Sequence, residues 1–458
     1  MRLKLNNTIY IVCAIFLFFL SSCMQNEIEL KEKDEEKIVT SYERNINDAE
    51  TELNEILLGK TTRVNSIAPK NPILKNKFTL KVDGTSIDTR VGGMTRSDVD
   101  NSTNIHIFNF QGGGYAIMSG DTRVTPMLVL TDKGEIPQDG VIDNPNLVPF
   151  LANMEVQIIK EIDEFNENNR INENNENDEI SVVYGKWEKT FSEMKEGYCP
   201  VEWGQGSPYN QFCPLTDGKL SSTGCVPTAV AQLLSVYKFP KRYNSYDFDW
   251  EIMNRYVKTW NPYPPAIPYI ARIMQQLGLR QNLDVTYAKY PENETDENKG
   301  SSASTDNIPR TLKNLGFSSG GIKKDYNETD IVNELRKGYY VLVSGYAKET
   351  KHKKKFLGIT IKTWYSYSGG HCWLVHGLLE MSRSVFRIKN GQTIGSYIQR
   401  KYYLLCNMGW NGWDSGYYYS GAFNTDKGPE TDFEKTRSNS KEDGNFRYKL
   451  SAITEIRK

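Results

Sequence analysis

Between residues 161 and 180 the chain carries almost nothing that could fill a core: Asn, Asp and Glu take 15 of the 20 positions. A stretch this polar buries too little apolar surface to offset the entropy of ordering it. It therefore divides the chain, with a shorter part before it and a longer part after it. The whole chain has 458 residues, of which 38% are apolar, so each part is long enough to hold its own core. Exposed linkers of this kind are also where proteases nick a chain. A precursor that needs cutting would be cut there or shortly after.

The N-terminus reads as an export segment. Arg2 and Lys4 are followed by an apolar run from Ile9 to Leu20 that is too short to span a bilayer. The run ends in Leu20-Ser21-Ser22-Cys23, which resembles the lipobox of bacterial lipoproteins. That resemblance implies cleavage before Cys23, acylation of its sulfur and attachment to a membrane through the lipid. The polar run after Cys23 reads as a tether.

The formal net charge is -1, so no large single-sign field points to nucleic acid. Seven cysteines occur, and Cys13 and Cys23 belong to the export segment. Cys199, Cys213, Cys225, Cys372 and Cys406 remain, an odd number that leaves at least one unpaired thiol. There is no C-x-x-C and the four histidines are scattered, so no metal site and no cofactor are expected.

Hydrophobic periodicity predicts strands at Ile105–Phe110, Tyr115–Gly120 and Met127–Leu130, then a helix carrying Leu151, Met154, Ile158, Ile162 and Phe165. Beyond the polar stretch, helices are predicted at Thr228–Tyr237, Tyr269–Leu277 and Ile331–Arg336. Strands are predicted at Tyr339–Tyr346, Cys372–Leu379, Tyr402–Asn407 and Tyr448–Ile453. Residues 291–306 and 424–445 read as polar surface insertions.

The chemistry is expected around Ser221-Ser222-Thr223-Gly224-Cys225-Val226-Pro227. Small polar residues precede an apolar helix, and Pro227 falls in its first turn, where proline is tolerated. Cys225 is thus predicted at a helix N-terminus, where the dipole favours a thiolate. A thiolate nucleophile needs a base. His106 precedes the polar stretch, and His352 lies in the basic run Lys351-His352-Lys353-Lys354-Lys355, read as a solvated loop. His371 and His376 share one predicted strand and, five residues apart, face opposite sides. Gly369-Gly370 before His371 allows close approach and favours His371 over His376. Asn407, at a strand end, is a candidate to hold the other imidazole nitrogen, and Trp410 to screen that bond. Gln205 is a candidate side-chain donor to an oxyanion, beside the backbone N–H of Cys225.

Five segments in order resemble the streptopain family of papain-like cysteine peptidases. They are Gly204–Asn210, Thr223–Ala229, Tyr340–Tyr346, Gly369-Gly370-His371 and Asn407–Trp410. Tyr115–Asp121 also resembles that family's inhibitory propeptide. The resemblance implies an α+β, papain-like fold, with a helical half carrying Cys225 and an antiparallel β-rich half carrying His371. A small α+β propeptide domain would precede it. It implies Cys225 as nucleophile, His371 as base, Asn407 as its orienting residue, Gln205 in the oxyanion hole and Trp410 as shield. Three positions depart from the family pattern: Met408 stands where Trp is usual, no acidic residue accompanies His376, and Cys372 follows His371 where a small residue is usual.

The expected organisation is a lipoprotein signal peptide at 1–22, a tether and the start of the propeptide at 23–77, and a propeptide domain at 78–165. A linker follows at 166–185 and a catalytic domain at 186–458. The expected partners are protein or peptide substrates, the chain's own propeptide as intramolecular inhibitor, and a membrane through the lipid on Cys23. The expected location is exported, in the periplasm or on the cell surface. Two other readings use the same residues. One is a catalytically silent surface binding lipoprotein, which has no reason to keep all four of Cys225, His371, Asn407 and Gln205. The other is a cysteine amidase acting on cell-wall peptides, or an acyl transferase, which a comparison of protein with muropeptide substrates separates.

Overall fold

The computed structural model describes residues 42–58, 72–82, 103–138, 154, 157–166, 180–191, 197–288, 300–356, 359–423 and 450–458. The export segment, Cys23 and most of the tether lie outside the described residues, as do 167–179 of the expected linker. Glu43–Lys458 forms one contact unit, because a single antiparallel sheet runs through both parts of the chain.

Before the polar stretch, helix α1 (Ile46–Leu58) is followed by strands β1 (Leu74–Val82), β2 (Thr103–Phe110), β3 (Tyr115–Ser119) and β4 (Met127–Thr131). β3 and β4 are buried along their whole length. This fits their nearly continuous apolar sequence, since a strand covered on both faces has no reason to alternate. Helix α2 spans residues 157–166 and buries Ile158 and Ile162, two of the residues whose spacing predicted it.

The longer part adds β5 (Ile180–Tyr184), β6 (Glu188–Phe191), β7 (Leu215–Thr216), β8 (Lys219–Leu220), β9 (Arg242–Tyr243) and β10 (Tyr246–Asp247). It continues through β11 (Ser319–Asp325), β12 (Val341–Phe356), β13 (Ile359–Lys389), β14 (Gln392–Asn407), β15 (Gly416–Tyr419) and β16 (Ser451–Arg457). Its helices are α3 (Cys225–Tyr237), α4 (Trp250–Met253), α5 (Ile267–Gly278), α6 (Ile308–Asn314) and α7 (Glu328–Arg336). The large sheet runs in the order β1-β2-β3-β4-β15-β14-β13-β12-β16-β11, with β5 and β6 also paired to β13. The helix-plus-antiparallel-sheet architecture is the α+β class expected from the sequence. Every residue of α3 from Val226 to Ser235 is buried, as a helix apolar on all sides must be.

Three features differ from the sequence reading. Ile180–Tyr184, assigned to the linker, pairs with β13 from Lys389 to Val385; its Ile, Val and Tyr are strand formers that the acidic neighbours mask. His352 is not in a loop, since β12 continues through the basic run paired with β13, with a register shift between Lys354 and Lys355. The two parts are joined edge to edge by β4 on β15, with Thr131 opposite Gly416 and Val129 opposite Tyr418. An edge strand left open would invite such pairing. Side chains reinforce it. The buried Glu161 carboxylate accepts from Lys401 at 2.7 Å, Tyr419 at 2.6 Å and the Thr125 N–H at 3.0 Å. Thr125 and Tyr403 share a hydroxyl contact of 2.7 Å.

Candidate active site

Cys225 is the first residue of α3, and Gly224 before it sits at φ 88° and ψ 154°. Only glycine adopts that conformation without strain. A Cβ there would also lie 2.8 Å from the Ser301 carbonyl oxygen. The turn into the helix is tied down by Thr228, whose hydroxyl donates to the Gly224 carbonyl at 2.9 Å and meets Thr223 at 2.9 Å. Thr223 N–H donates to the Gln205 carbonyl at 3.0 Å. This bond brings the 203–207 loop, and with it half-buried Gln205, to the start of the helix.

His371 lies on β13 opposite Gly345 of β12. The backbone of the next residue, Cys372, comes close enough to the Cys225 thiol to favour its ionised form, so cysteine and histidine come from two elements packed together at this point. His371 is buried. Its ring stacks on Trp373 at 5.9 Å and meets Trp410 edge-on at 5.5 Å. Its Nε2 lies 2.9 Å from the Met408 carbonyl oxygen. A carbonyl oxygen can only accept, so Nε2 carries the proton and Nδ1 is the nitrogen free to take one.

The hydrogen bonds of Asn407 do not go to the imidazole. Its Nδ2 donates to the Val201 carbonyl at 2.7 Å, and its Oδ1 accepts from the Gly409 N–H at 3.3 Å. The orienting acceptor for His371 is instead the backbone of the following residue. Of the other histidines, His376 accepts from the Cys199 N–H through Nδ1 at 3.0 Å, a structural tie between the two halves. His106 bridges Thr79 and the Arg44 carbonyl in the part of the chain before the polar stretch.

Burial sets the charge state of the pair. It pushes the Cys225 thiol upward, although the Cys372, Val226 and Cys225 backbone groups oppose it. It pulls the His371 imidazole down to about 4, against the opposing Met408 hydrogen bond. Both shifts favour the neutral thiol and neutral imidazole over the charged pair. The five cysteines from Cys199 to Cys406 are all free thiols.

Three contributors escaped the sequence reading. Trp373 lies two residues from His371 on the same strand face, a period-2 signal that could have found it. Asn411 accepts from Tyr209 and from Thr259, each at 2.7 Å, and so binds the 409–413 turn to the loop that holds Gln205. The Met408 carbonyl has no signature in sequence.

The Peptidase C10 family model matches residues 203–418, a span that holds Gln205, Cys225, His371, Asn407 and Trp410. Streptopain of Streptococcus pyogenes serotype M1 is 22% identical over 310 residues, covering 58% of this chain and 71% of that protein. The thiol protease/hemagglutinin PrtT of Porphyromonas gingivalis is 42% identical over 53 residues, 10% of this chain and 6% of that one. A solved prointerpain A fragment of Prevotella intermedia is similar at a TM-score of 0.45 and 18% identity, over 77% of this chain and 96% of that one. Residues 203–418 of the chain are thus similar to the Peptidase C10 family, and the longer match is to streptopain.

Proposed function

We propose that this protein is a cysteine endopeptidase made as an inactive precursor, with Cys225 as nucleophile and His371 as base. The observation that carries the reading is the Cys225 thiol at the start of α3, beside the backbone of the residue next to His371. In the reaction, Nδ1 of His371 takes the thiol proton and the sulfur attacks a peptide carbonyl. The Cys225 N–H and the Gln205 side chain stabilise the oxyanion. The imidazolium then protonates the leaving amine, and water releases the acid from the thioester. Asn407 holds the turn that presents Met408, and Trp410 covers the imidazole.

The segment before the linker acts as the propeptide, 78–165 in extent, and residues 186–458 as the catalytic domain. Its support is the β4–β15 pairing and the Glu161 bonds to Lys401 and Tyr419. Tyr115, which donates to Asp414 at 3.2 Å, engages the turn that also carries Trp410. The neutral cysteine–histidine pair suits a precursor, because a thiolate–imidazolium pair gains from solvent that the docked form limits. The sequence of residues 1–23 supports export and a lipid on Cys23.

The test compares the parent chain with Cys225→Ala on unfolded casein under reducing conditions. The parent cleaves casein and shortens itself, while Cys225→Ala does neither. If both stay inert, even after the linker is cut by an added protease, the reading fails and a binding lipoprotein replaces it. Cleavage of muropeptides in place of casein would point to the cell-wall amidase.

A further inference from the structure

We propose that Trp260 and Trp413 form a platform for an aromatic or bulky apolar side chain of the substrate, one or two residues past the bond that is cut; substrate and cut rest on the peptidase reading above. Both indoles reach solvent, Trp260 at 48% exposure and Trp413 at 50%. Trp187, Trp203, Trp250, Trp373 and Trp410 are by contrast buried or half-buried. A single exposed apolar side chain is ordinary, but neighbouring ones make a contiguous patch, and such patches mark sites of interaction. The two rings meet at 6.4 Å between centroids and 79° between planes. Lys258 lies over the Trp260 ring, its Nζ 5.4 Å from the centroid.

The supports of the pair are fixed and come from two distant segments. The Trp413 N–H donates to the Trp410 carbonyl at 3.1 Å. Thr259, next to Trp260, donates to Asn411 at 2.7 Å. Glu202, which pairs with Lys258, lies so close to Gly412 that a Cβ there would strike it. Rings held in place before a ligand arrives lose little freedom when it binds, and tryptophan offers a large contact area. The position decides which part of a substrate meets them. His371 protonates the leaving nitrogen, so that nitrogen must lie against the imidazole. Trp410 touches the same imidazole edge-on at 5.5 Å, and Trp413 follows three residues later in the same turn. The part of the chain that leaves with the nitrogen runs past Trp410 toward the pair, while the acyl part stays on Cys225. The ring geometry narrows the occupant. Two indoles near a right angle make a notch, which a planar or branched apolar side chain can line on both walls. A sugar favours a flat face with free polar groups at its rim, and the Asn411 side-chain oxygen beside the pair already accepts from both Thr259 and Tyr209.

The test uses the full chain, allowed to process itself, and two quenched fluorogenic peptides that copy a cut mapped in casein. One carries Phe and the other Gly at the first two positions after the bond, and mass spectrometry confirms that both are cut at the same place. The parent's kcat/KM for the Phe peptide exceeds that for the Gly peptide about tenfold or more. Trp260→Ala with Trp413→Ala brings that ratio to about one, whereas Trp260→Phe with Trp413→Phe keeps most of it. Trp260→Ala alone lowers the ratio several-fold and serves if the double variant does not fold. Equal rates for the two peptides in the parent, or an unchanged ratio in the double variant, overturn the platform and leave the peptidase reading. A parent inert toward casein and both peptides overturns the peptidase reading and the platform with it. Quenching of tryptophan fluorescence by N-acetylglucosamine oligomers, without a preference for the Phe peptide, gives the pair to a sugar and likewise overturns the proposal.

Discussion

The Nε2 atom of His371 lies 2.9 Å from the carbonyl oxygen of Met408, while the amide of the adjacent Asn407 bonds Val201 and Gly409. The imidazole is thus held by backbone, and the asparagine holds the backbone. His371→Ala is expected to lower kcat/KM by about 100- to 10,000-fold, the usual range for a lost general base. Asn407→Ala is expected to lower the melting temperature, since it strands the buried Val201 carbonyl at a cost of about 1–3 kcal/mol. Its pH–rate profile should keep the parent's midpoint. A shifted midpoint would mean that Asn407 acts on the imidazole directly in the working enzyme.

Gly224 combines a positive φ with contact to Ser301. Gly224→Ala should cost about 1–3 kcal/mol in backbone strain, before the clash is counted, and should displace the start of α3. Thermal unfolding gives the first effect. The rate of alkylation of Cys225 by iodoacetamide gives the second, and an unchanged rate would show that the turn does not set the position of the thiol.

Two buried histidines make the precursor sensitive to mild acid. Burial holds His371 down to about 4 and His376 down to about 3, against about 6.5 in the unfolded chain. Between these values the unfolded chain binds more protons than the native one. The native state therefore keeps its full stability above about 6.5 and loses it as the pH falls toward the folded values. At about pH 4.5 the loss is on the order of 2–3 kcal/mol for each histidine. The melting temperature of the Cys225→Ala chain should drop steadily from pH 7 to about 4.5, and His371→Gln should flatten that slope.

Glu161 responds in a lower window. Burial alone would raise its carboxyl, but Lys401 and the bonds from Lys401, Tyr419 and Thr125 outweigh it and hold the group below the usual carboxylate range. Its contribution to docking is present above the unfolded value near 4.5 and is lost only as the pH falls through the lower folded one. Glu161→Gln should loosen the docked segment at neutral pH, by about 3–5 kcal/mol if Lys401 is left unpaired in the interface. Hydrogen exchange in β4 and β15 reads this out. Unchanged exchange would show that strand pairing alone holds the segment.

Much of the fold was legible because its signals are local. α3 and α5 announced themselves by apolar spacing, β3 and β4 by short apolar runs, and the division of the chain by a stretch that cannot bury anything. Where the reading stopped short, the deciding contact was distant in sequence. Ile180–Tyr184 looked like the tail of a linker because its strand partner, Val385–Lys389, lies some two hundred residues on. The basic run around His352 looked like a loop because lysines disfavour strands, whereas pairing with β13 supplies the backbone bonds they need.

For the candidate site, sequence determined the residue types and the helix start. Gly224 had to precede Cys225, and only four histidines could serve as base. Tertiary structure decided that β13 brings Cys372, the residue after His371, onto Cys225 and gives His376 to the Cys199 N–H. It also decided that a carbonyl, and not an amide side chain, holds His371, and that burial keeps the pair uncharged. Hydrogen bonds to backbone and desolvation depend on what surrounds a group in space, and a linear sequence carries neither.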